Sequence, residues 1–297
     1  KPATRGNLLL LLTAAIWGAA FAAQRAGAES LPPFAFNGLR FLLGSAVLVP
    51  AVVFFRRRAT PRPLRPVRAH LIAGLVCGAC LFCGSSLQQA AMSTTDPGKA
   101  GFLTALYILL VPLLQRLFGR PLRLLHLACA LLGVAGMALL CLGNGFGPLS
   151  SGDLLLVLCA LAFAFHILAV DRFARGGTLD PLLLSCLQFA VVGIFSLPAI
   201  FWREGFPSAA AFRAAAVPFL YAGVFSCAIA FTLQVVAQRH TDPAVASLVM
   251  CLEAVFALLA GALLLHERHT PRELCGCLLL FAAIVLSQLP ARCRRKA

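Results

Sequence analysis

Charge is what this sequence has least of. Only 12% of its 297 residues are Asp, Glu, Lys or Arg, about half the roughly 25% of an average soluble domain. A chain so poor in charge cannot coat a core with polar surface, and its apolar runs recur from Leu8 to Leu289 with almost no polar alternation. Acids are scarcer still. The ten stand singly as Glu29, Asp96, Asp153, Asp171, Asp180, Glu204, Asp242, Glu253, Glu267 and Glu273. A lipid-modifying membrane enzyme needs clustered carboxylates, or a nucleophile beside a base, to hold metal and phosphate, and the scatter speaks against one. No Gly-Lys-Ser/Thr P-loop is present to drive pumping by ATP. No small-residue cleavage pattern interrupts the first apolar run, which continues through Trp17 and suits a span.

What is present is apolar: 61% of the residues are hydrophobic. A helix needs about 20 mainly apolar residues to cross about 30 Å of hydrocarbon. The segments that meet this are Asn7 to Gln24, Phe34 to Phe55, Ala69 to Ala91, Gly98 to Phe118, Leu124 to Gly143, Asp153 to Val170, Pro181 to Trp202, Ala214 to Ala237, Ala244 to Leu265 and Arg272 to Leu289. The expected fold is an all-α membrane protein of ten transmembrane helices. Most of the twelve cysteines, among them Cys80, Cys141, Cys159, Cys227 and Cys251, lie inside these runs as small hydrophobes. Cys77, Cys80 and Cys83 share a helix but lack the fourth ligand of a closed zinc cage, so no metal or cofactor is expected.

The net charge of +15, which in a soluble protein would suggest nucleic acid, has a membrane explanation. With the N-terminus in the cytoplasm, Lys1, Arg5, six arginines between Arg56 and Arg68, Arg116, Arg120, Arg123, Arg172, Arg175, Arg239 and the basic tail from Arg292 to Lys296 fall inside. Arg25, Lys99, Arg203, Arg213, Arg268 and Arg272 fall outside, and Arg40 lies within a span. This bias predicts a multi-pass protein of a bacterial inner membrane with both termini cytoplasmic and no nucleic-acid partner.

The two halves, 1–143 and 144–297, match weakly at an offset of 146 to 148 residues. Pro33, Leu39, Arg40, Phe41 and Pro50 correspond to Pro181, Leu187, Gln188, Phe189 and Pro198; Leu87 and Gln88 correspond to Leu233 and Gln234; and Thr95-Asp96-Pro97 recurs as Thr241-Asp242-Pro243. Five spans per half is an odd number, so the second copy enters from the opposite face. Such an inverted repeat supplies two near-equivalent arrangements around a midplane site, one open to each side, which is the architecture of alternating access. A channel would ordinarily build its filter from rings contributed by several subunits.

Two stretches, GFLTALYILLVPLL from Gly101 to Leu114 and SLVMCLEAVFALLAGALLLHERHTPRELCGCLLLFAAIVL from Ser247 to Leu286, resemble the EamA family of the drug/metabolite transporter superfamily. The resemblance covers nearly the whole chain as two tandem repeats, with Trp17-Gly18 and Leu39-Arg40-Phe41 included. It implies an inner-membrane carrier in which the first four helices of each half line a central cavity and the fifth and tenth are peripheral. Family members export amino acids, metabolites or toxic compounds, or import nutrients. The family's acidic residue after the fourth helix of a repeat is matched by Glu267 in the second half, whereas Gly119 to Leu122 has none, and Ala254 replaces a proline often found after the glutamate.

A charge at bilayer depth is costly and needs a reason. Glu253, near the middle of the ninth span, is the leading coupling or substrate residue, or else a helix-to-helix hydrogen-bonding group; its pseudo-equivalent is Tyr107. Arg40 has a long stem able to reach the headgroups, and with Gln188 it forms either a pair of gates or a simple snorkelling arrangement. Trp17 at mid-span suits a cavity wall able to stack on a planar or cationic solute, or ordinary packing. His166, close to the pseudo-equivalent of Trp17, suits proton exchange or a neutral interhelical bond. Gln88, Gln89, Asn37, Tyr221, Ser226 and Gln234 offer neutral hydrogen bonds to a solute or to one another. The sum is a secondary carrier for a small polar metabolite, an amino acid or related amine or drug-like solute, acting in export. A lipid-modifying enzyme and a channel are the alternatives, and no oligomeric state is implied.

Overall fold

Prolines and small acids set where the helices begin. Asp180 and Asp242 are N-caps directly before Pro181 and Pro243, their Oδ1 atoms accepting from Leu182 N and Ala244 N at 3.0 Å each. Proline at the first helical position loses nothing, because that N–H has no partner inside the helix. Ser150 with Asp153, and Thr270 with Glu273, form capping boxes, each cap contributing about 1 kcal/mol.

The computed structural model describes residues 2–58, 66–92, 94–95, 97–143, 145, 147–265 and 270–289. Asp96, Glu267, Arg268 and the basic tail, all drawn into the sequence argument, lie outside the described residues. The main helices are α1 (Pro2–Ala28), α2 (Pro33–Arg58), α3 (Val67–Ala91), α4 (Gly98–Phe118), α5 (Leu124–Cys141), α6 (Ser151–Ala174), α7 (Pro181–Glu204), α8 (Ala216–Ala237), α9 (Pro243–Met250 continued by Glu253–Leu265) and α10 (Pro271–Ser287). A short helix, Ala209–Ala214, precedes α8. No strand occurs among the described residues. The first eight helices are long and apolar enough to cross a membrane; the apolar stretch Pro243–Leu259 is shorter, and α10 has 17 residues. Each of the ten expected segments falls on a helix.

The principal packing pairs survive exchange of α1–α5 for α6–α10. Helix α1 packs on α8 and α9, and α6 on α3 and α4; α2 packs on α7 and α8, and α7 on α2 and α3; α4 meets α9, and α5 meets α10. Two pairs of equivalent helices that pack directly on each other, α5 with α10 and α2 with α7, are both antiparallel. On α5 and α10, Gly136 faces Leu280 while Leu140 faces Gly276, and each glycine lies against the other's carbonyl, so a methyl group at either would collide. On α2 and α7, Gly38 faces Ser196 and Ser45 Oγ donates to Cys186 O at 2.9 Å, again an antiparallel register.

Four helices depart from regular α geometry, among them α7, whose last residues, Ile200–Glu204, are in π geometry. Helix α4 breaks at Leu106 and α9 at Cys251–Leu252. The bonds around the breaks repeat at an offset of 146: the tight Leu106 N to Leu103 O in α4 and Leu252 N to Val249 O in α9, each followed by a regular bond, Leu110 N to Leu106 O and Phe256 N to Leu252 O. Helix α8 widens into π geometry from Tyr221 to Phe231, a form concentrated at functional sites.

Candidate functional site

A cavity of about 60 Å³ lies inside the bundle, lined from α1, α2, α3, α4, α6, α8 and α9, with no contribution from α5 or α10. Fourteen of its seventeen lining residues fall into seven pairs separated by 146 positions: Trp17 and Phe163, Ala20 and His166, Phe21 and Ile167, Ser85 and Phe231, Gln88 and Gln234, Thr104 and Met250, Tyr107 and Glu253. The cavity therefore straddles the pseudo-twofold relation. Gln24, Arg40 and Ser226 complete the wall.

Tyr107 and Glu253 sit where they do because of the two helix breaks. Each is the first residue of the segment that resumes after its break, and each faces the cavity. Glu253 is 9% exposed, and its carboxyl group makes no hydrogen bond or ion pair with a described residue. The interhelical-bond alternative for Glu253 thus has no partner among those residues.

Arg40 departs from the snorkelling expectation. It is 3% exposed, and its Nε and Nη2 donate to Asn37 Oδ1 at 3.3 and 2.9 Å. The guanidinium lies 5.4 and 5.3 Å from the ring centroids of Phe36 and Phe41. Asn37 Nδ2 in turn donates to Ser85 Oγ and Ser86 Oγ of α3 at 3.0 and 3.2 Å. The physical reason is local: a partner one turn away and two aromatic faces hold the cation inward against its pull toward water. Asn37 is therefore a positioning group behind Arg40, absent from the cavity wall itself.

The other expected residues divide in the same way. His166 Nε2 donates to Gln188 Oε1 at 3.0 Å, placing Gln188 behind the histidine and off the wall. Gln234 Nε2 donates to Gln238 Oε1, and Gln238 Nε2 to Ile167 O, both at 3.0 Å. Gln88 Nε2 reaches Thr104 Oγ1 at 3.5 Å. The Trp17 indole donates to Ser226 O at 3.3 Å and its ring lies 4.6 Å from that of Phe231. Thr13 Oγ1 donates to Ala230 O at 3.2 Å, so two carbonyls of the π stretch are taken up by α1 side chains. Tyr221 lies off the wall, its hydroxyl donating to Ile16 O at 2.9 Å. Gln89 is also off the wall, its Nε2 donating to Gln24 O at 3.3 Å.

Sequence reasoning passed over Phe163, Phe231, Phe21, Gln24, Ser85, Thr104 and Met250. The signal that finds most of them is the offset: adding 146 to Trp17 gives Phe163, and adding it to Ala20 gives His166, whose counterpart is thus one turn from Trp17. It also passed over two ion pairs, the buried Lys99 Nζ to Asp153 Oδ2 and the half-buried Arg120 Nη2 to Asp171 Oδ2, both 2.5 Å.

Comparison with known proteins gives a consistent result. The model of the EamA-like transporter family matches residues 4–142 and again 150–289. An uncharacterized transporter of Archaeoglobus fulgidus is 27% identical over 95% of this chain and 85% of its own length. The uncharacterized inner membrane transporter YedA of Escherichia coli (strain K12) is 27% identical over 92% and 87%. The aromatic amino acid exporter YddG of Ancylobacter novellus is 33% identical over 56% of this chain and 58% of that protein. A solved crystal structure shares the fold with a TM-score of 0.75 at 21% identity, covering 95% of this chain and 96% of its own. Matched across both halves, this chain belongs to the EamA-like transporter family.

Proposed function

We propose that this membrane transporter is a secondary carrier that exports an amino acid, with an aromatic side chain preferred, by alternating access. The observation that carries this reading is one cavity on the pseudo-twofold relation with Glu253 and Arg40 in its wall, neither paired with the other. A carboxylate and a guanidinium unpaired in one site match the ammonium and carboxylate of an amino acid. Trp17, Tyr107, Phe163 and Phe231 supply ring faces for its side chain. The relative named as an aromatic amino acid exporter supports both class and direction. Ten crossings with both termini in the cytoplasm complete the reading, from the basic inner loops and the inversion of the halves.

At about 60 Å³ the cavity holds a few water molecules and no amino acid. Loading requires helices to part, and the related halves offer one parting toward each face. The test is counterflow of labelled phenylalanine in vesicles reconstituted with the purified chain, saturable and stimulated by unlabelled substrate on the far side. Glu253→Gln is expected to cut that flux about tenfold or more, the worth of one charge-assisted hydrogen bond. Absence of counterflow with every amino acid, or unchanged flux in the variant, refutes the assignment.

A further inference from the structure

Helices α2 and α7 lie antiparallel, and a carboxylate sits on the first amides of each, but the two carboxylates reach them from different places. Asp180 stands directly before α7, and its Oδ1 accepts from Leu182 N and Leu183 N at 3.0 and 3.5 Å. In the repeat that sets Pro33 against Pro181, the counterpart of Asp180 is Pro32, which has no side-chain oxygen. The amides equivalent to those of Leu182 and Leu183 belong to Phe34 and Ala35, and they donate to Glu204 Oε1 and Oε2 at 3.0 and 2.8 Å. Glu204 is the last residue of α7, closing its π turn Ile200–Glu204. Helix α7 supplies its own cap, whereas α2 takes its cap from α7.

We propose that Glu204 is a latch on the outer face of the carrier, holding α2 and α7 together there and releasing when that face opens. The latch rests on the carrier reading with cytoplasmic termini, which puts the start of α2 and the end of α7 outside. The Phe34 and Ala35 amides have no acceptor inside their own helix, and the carboxylate also faces the positive end of the α2 dipole. Separation of the two ends therefore strips α2 of its cap. Close contact continues inward from the latch, with Gly38 against Ser196 and Gly193 against Leu42. Arg40, in the cavity wall, follows on the same helix, so movement at the start of α2 reaches the site.

The opposite end of the pair is built otherwise. The counterpart of Glu204 is Arg56, whose Nε lies 3.7 Å from Asp180 Oδ2 with the arginine side chain 39% exposed. Parting there breaks an exposed pair, which contributes little, and leaves Asp180 on the amides of its own helix. Of the two ends, separation costs more at Glu204. A carrier that rests closed to the outside is placed to load from the cytoplasm, the order that export requires.

Amide exchange of the purified full chain tests the latch without transport. Glu204→Ala is expected to speed exchange in the first turn of α2 about fivefold, the effect of losing one helix cap, and to speed it in the last turn of α7 as well. Adding Pro32→Asp gives α2 a cap of its own, as Asp180 gives α7. This double variant is expected to restore the first turn of α2 and to leave the last turn of α7 fast, because the two ends no longer hold each other. Counterflow of labelled phenylalanine in vesicles of fixed orientation supplies the second readout. Apparent affinity scales with the population of the competent state, so both variants are expected to lower the half-saturating concentration at the outer face by up to about fivefold and to raise it at the inner face. A cap that only stabilises α2 predicts instead that the double variant behaves as the parent in both measurements. That result, or unchanged exchange in Glu204→Ala, overturns the latch. If exchange follows the expected pattern while no amino acid shows counterflow, the substrate assignment falls and the latch stands.

Discussion

Two seams of this bundle are related by the repeat and are held together by different means. Helices α4 and α6 are tied near one end by a buried ion pair, Lys99 to Asp153, and near the other by the buried Asp171, which takes the half-buried Arg120 just past α4 and the exposed Arg175, its Nη2 at 2.6 Å. The corresponding α1–α9 seam has a hydrogen bond from Thr241 Oγ1 to Asn7 Oδ1 at 3.4 Å and a close backbone approach at Gly18. Trp17 and Glu253 belong to this second seam. The difference teaches that a repeated architecture need not be held together symmetrically: charge ties one seam, while the other, bearing the acid of the cavity, is held by close packing and a hydrogen bond.

The largest effects fall on the locked seam. Removing one partner of a buried pair leaves the other charge stranded, at about 3–5 kcal/mol. Lys99→Met, which strands Asp153, should lower the melting temperature of the detergent-solubilised protein far more than Asn7→Ala, which loses a 3.4 Å bond to Thr241 and a 3.0 Å bond to Gln288, each contributing about 1 kcal/mol or less; Asp171→Asn, which leaves the partly exposed Arg120 and Arg175 in reach of water, should fall between them. Amide exchange should follow the same order, with the α1–α9 seam opening more readily than α4–α6. Equal losses at both seams would remove the distinction.

Next in size is Gly18→Ala. A methyl group there would stand 2.8 Å from Ala257 N, Glu253 O and Phe256 Cβ, and overpacking of this kind costs about 1–3 kcal/mol. The equivalent of Gly18 in the other half is Ala164, fully buried without conflict. The expected outcome is a lower melting temperature with counterflow reduced more than in Ala164→Gly. A Gly18→Ala protein that transports normally would show that close contact at this seam is dispensable.

The repeat was legible because Gln88, Gln234 and the Thr-Asp-Pro tripeptides stand out as polar or helix-breaking groups on an apolar background. The cavity's aromatic wall was not. In lipid every face of a helix can be apolar, so Phe163 and Phe231 look like any membrane-facing phenylalanine until their neighbours are known. The breaks at Leu106 and Cys251–Leu252 contain neither glycine nor proline, and the π stretch of α8 is marked by no residue type; both are set by packing between helices. The ion pairs were hidden because Lys99 and Asp153, like Arg120 and Asp171, lie more than fifty positions apart in sequence.

The smallest expected effect tests whether burial, and not pairing as such, makes the locked seam strong. Arg56 Nε lies 3.7 Å from Asp180 Oδ2 between the ends of α2 and α7, with the arginine side chain 39% exposed. Water competes for both groups there, and exposed pairs of this sort contribute about 0–1 kcal/mol. Asp180 has a second role, capping α7 through Leu182 N, and loss of a cap costs about 1 kcal/mol. Arg56→Gln should therefore leave the melting temperature nearly unchanged, and Asp180→Ala should lower it modestly, whether or not Arg56 is present. If Arg56→Gln instead destabilised the protein as much as Lys99→Met, ion pairing at any depth would hold these helices, and the contrast between the two seams would need another cause.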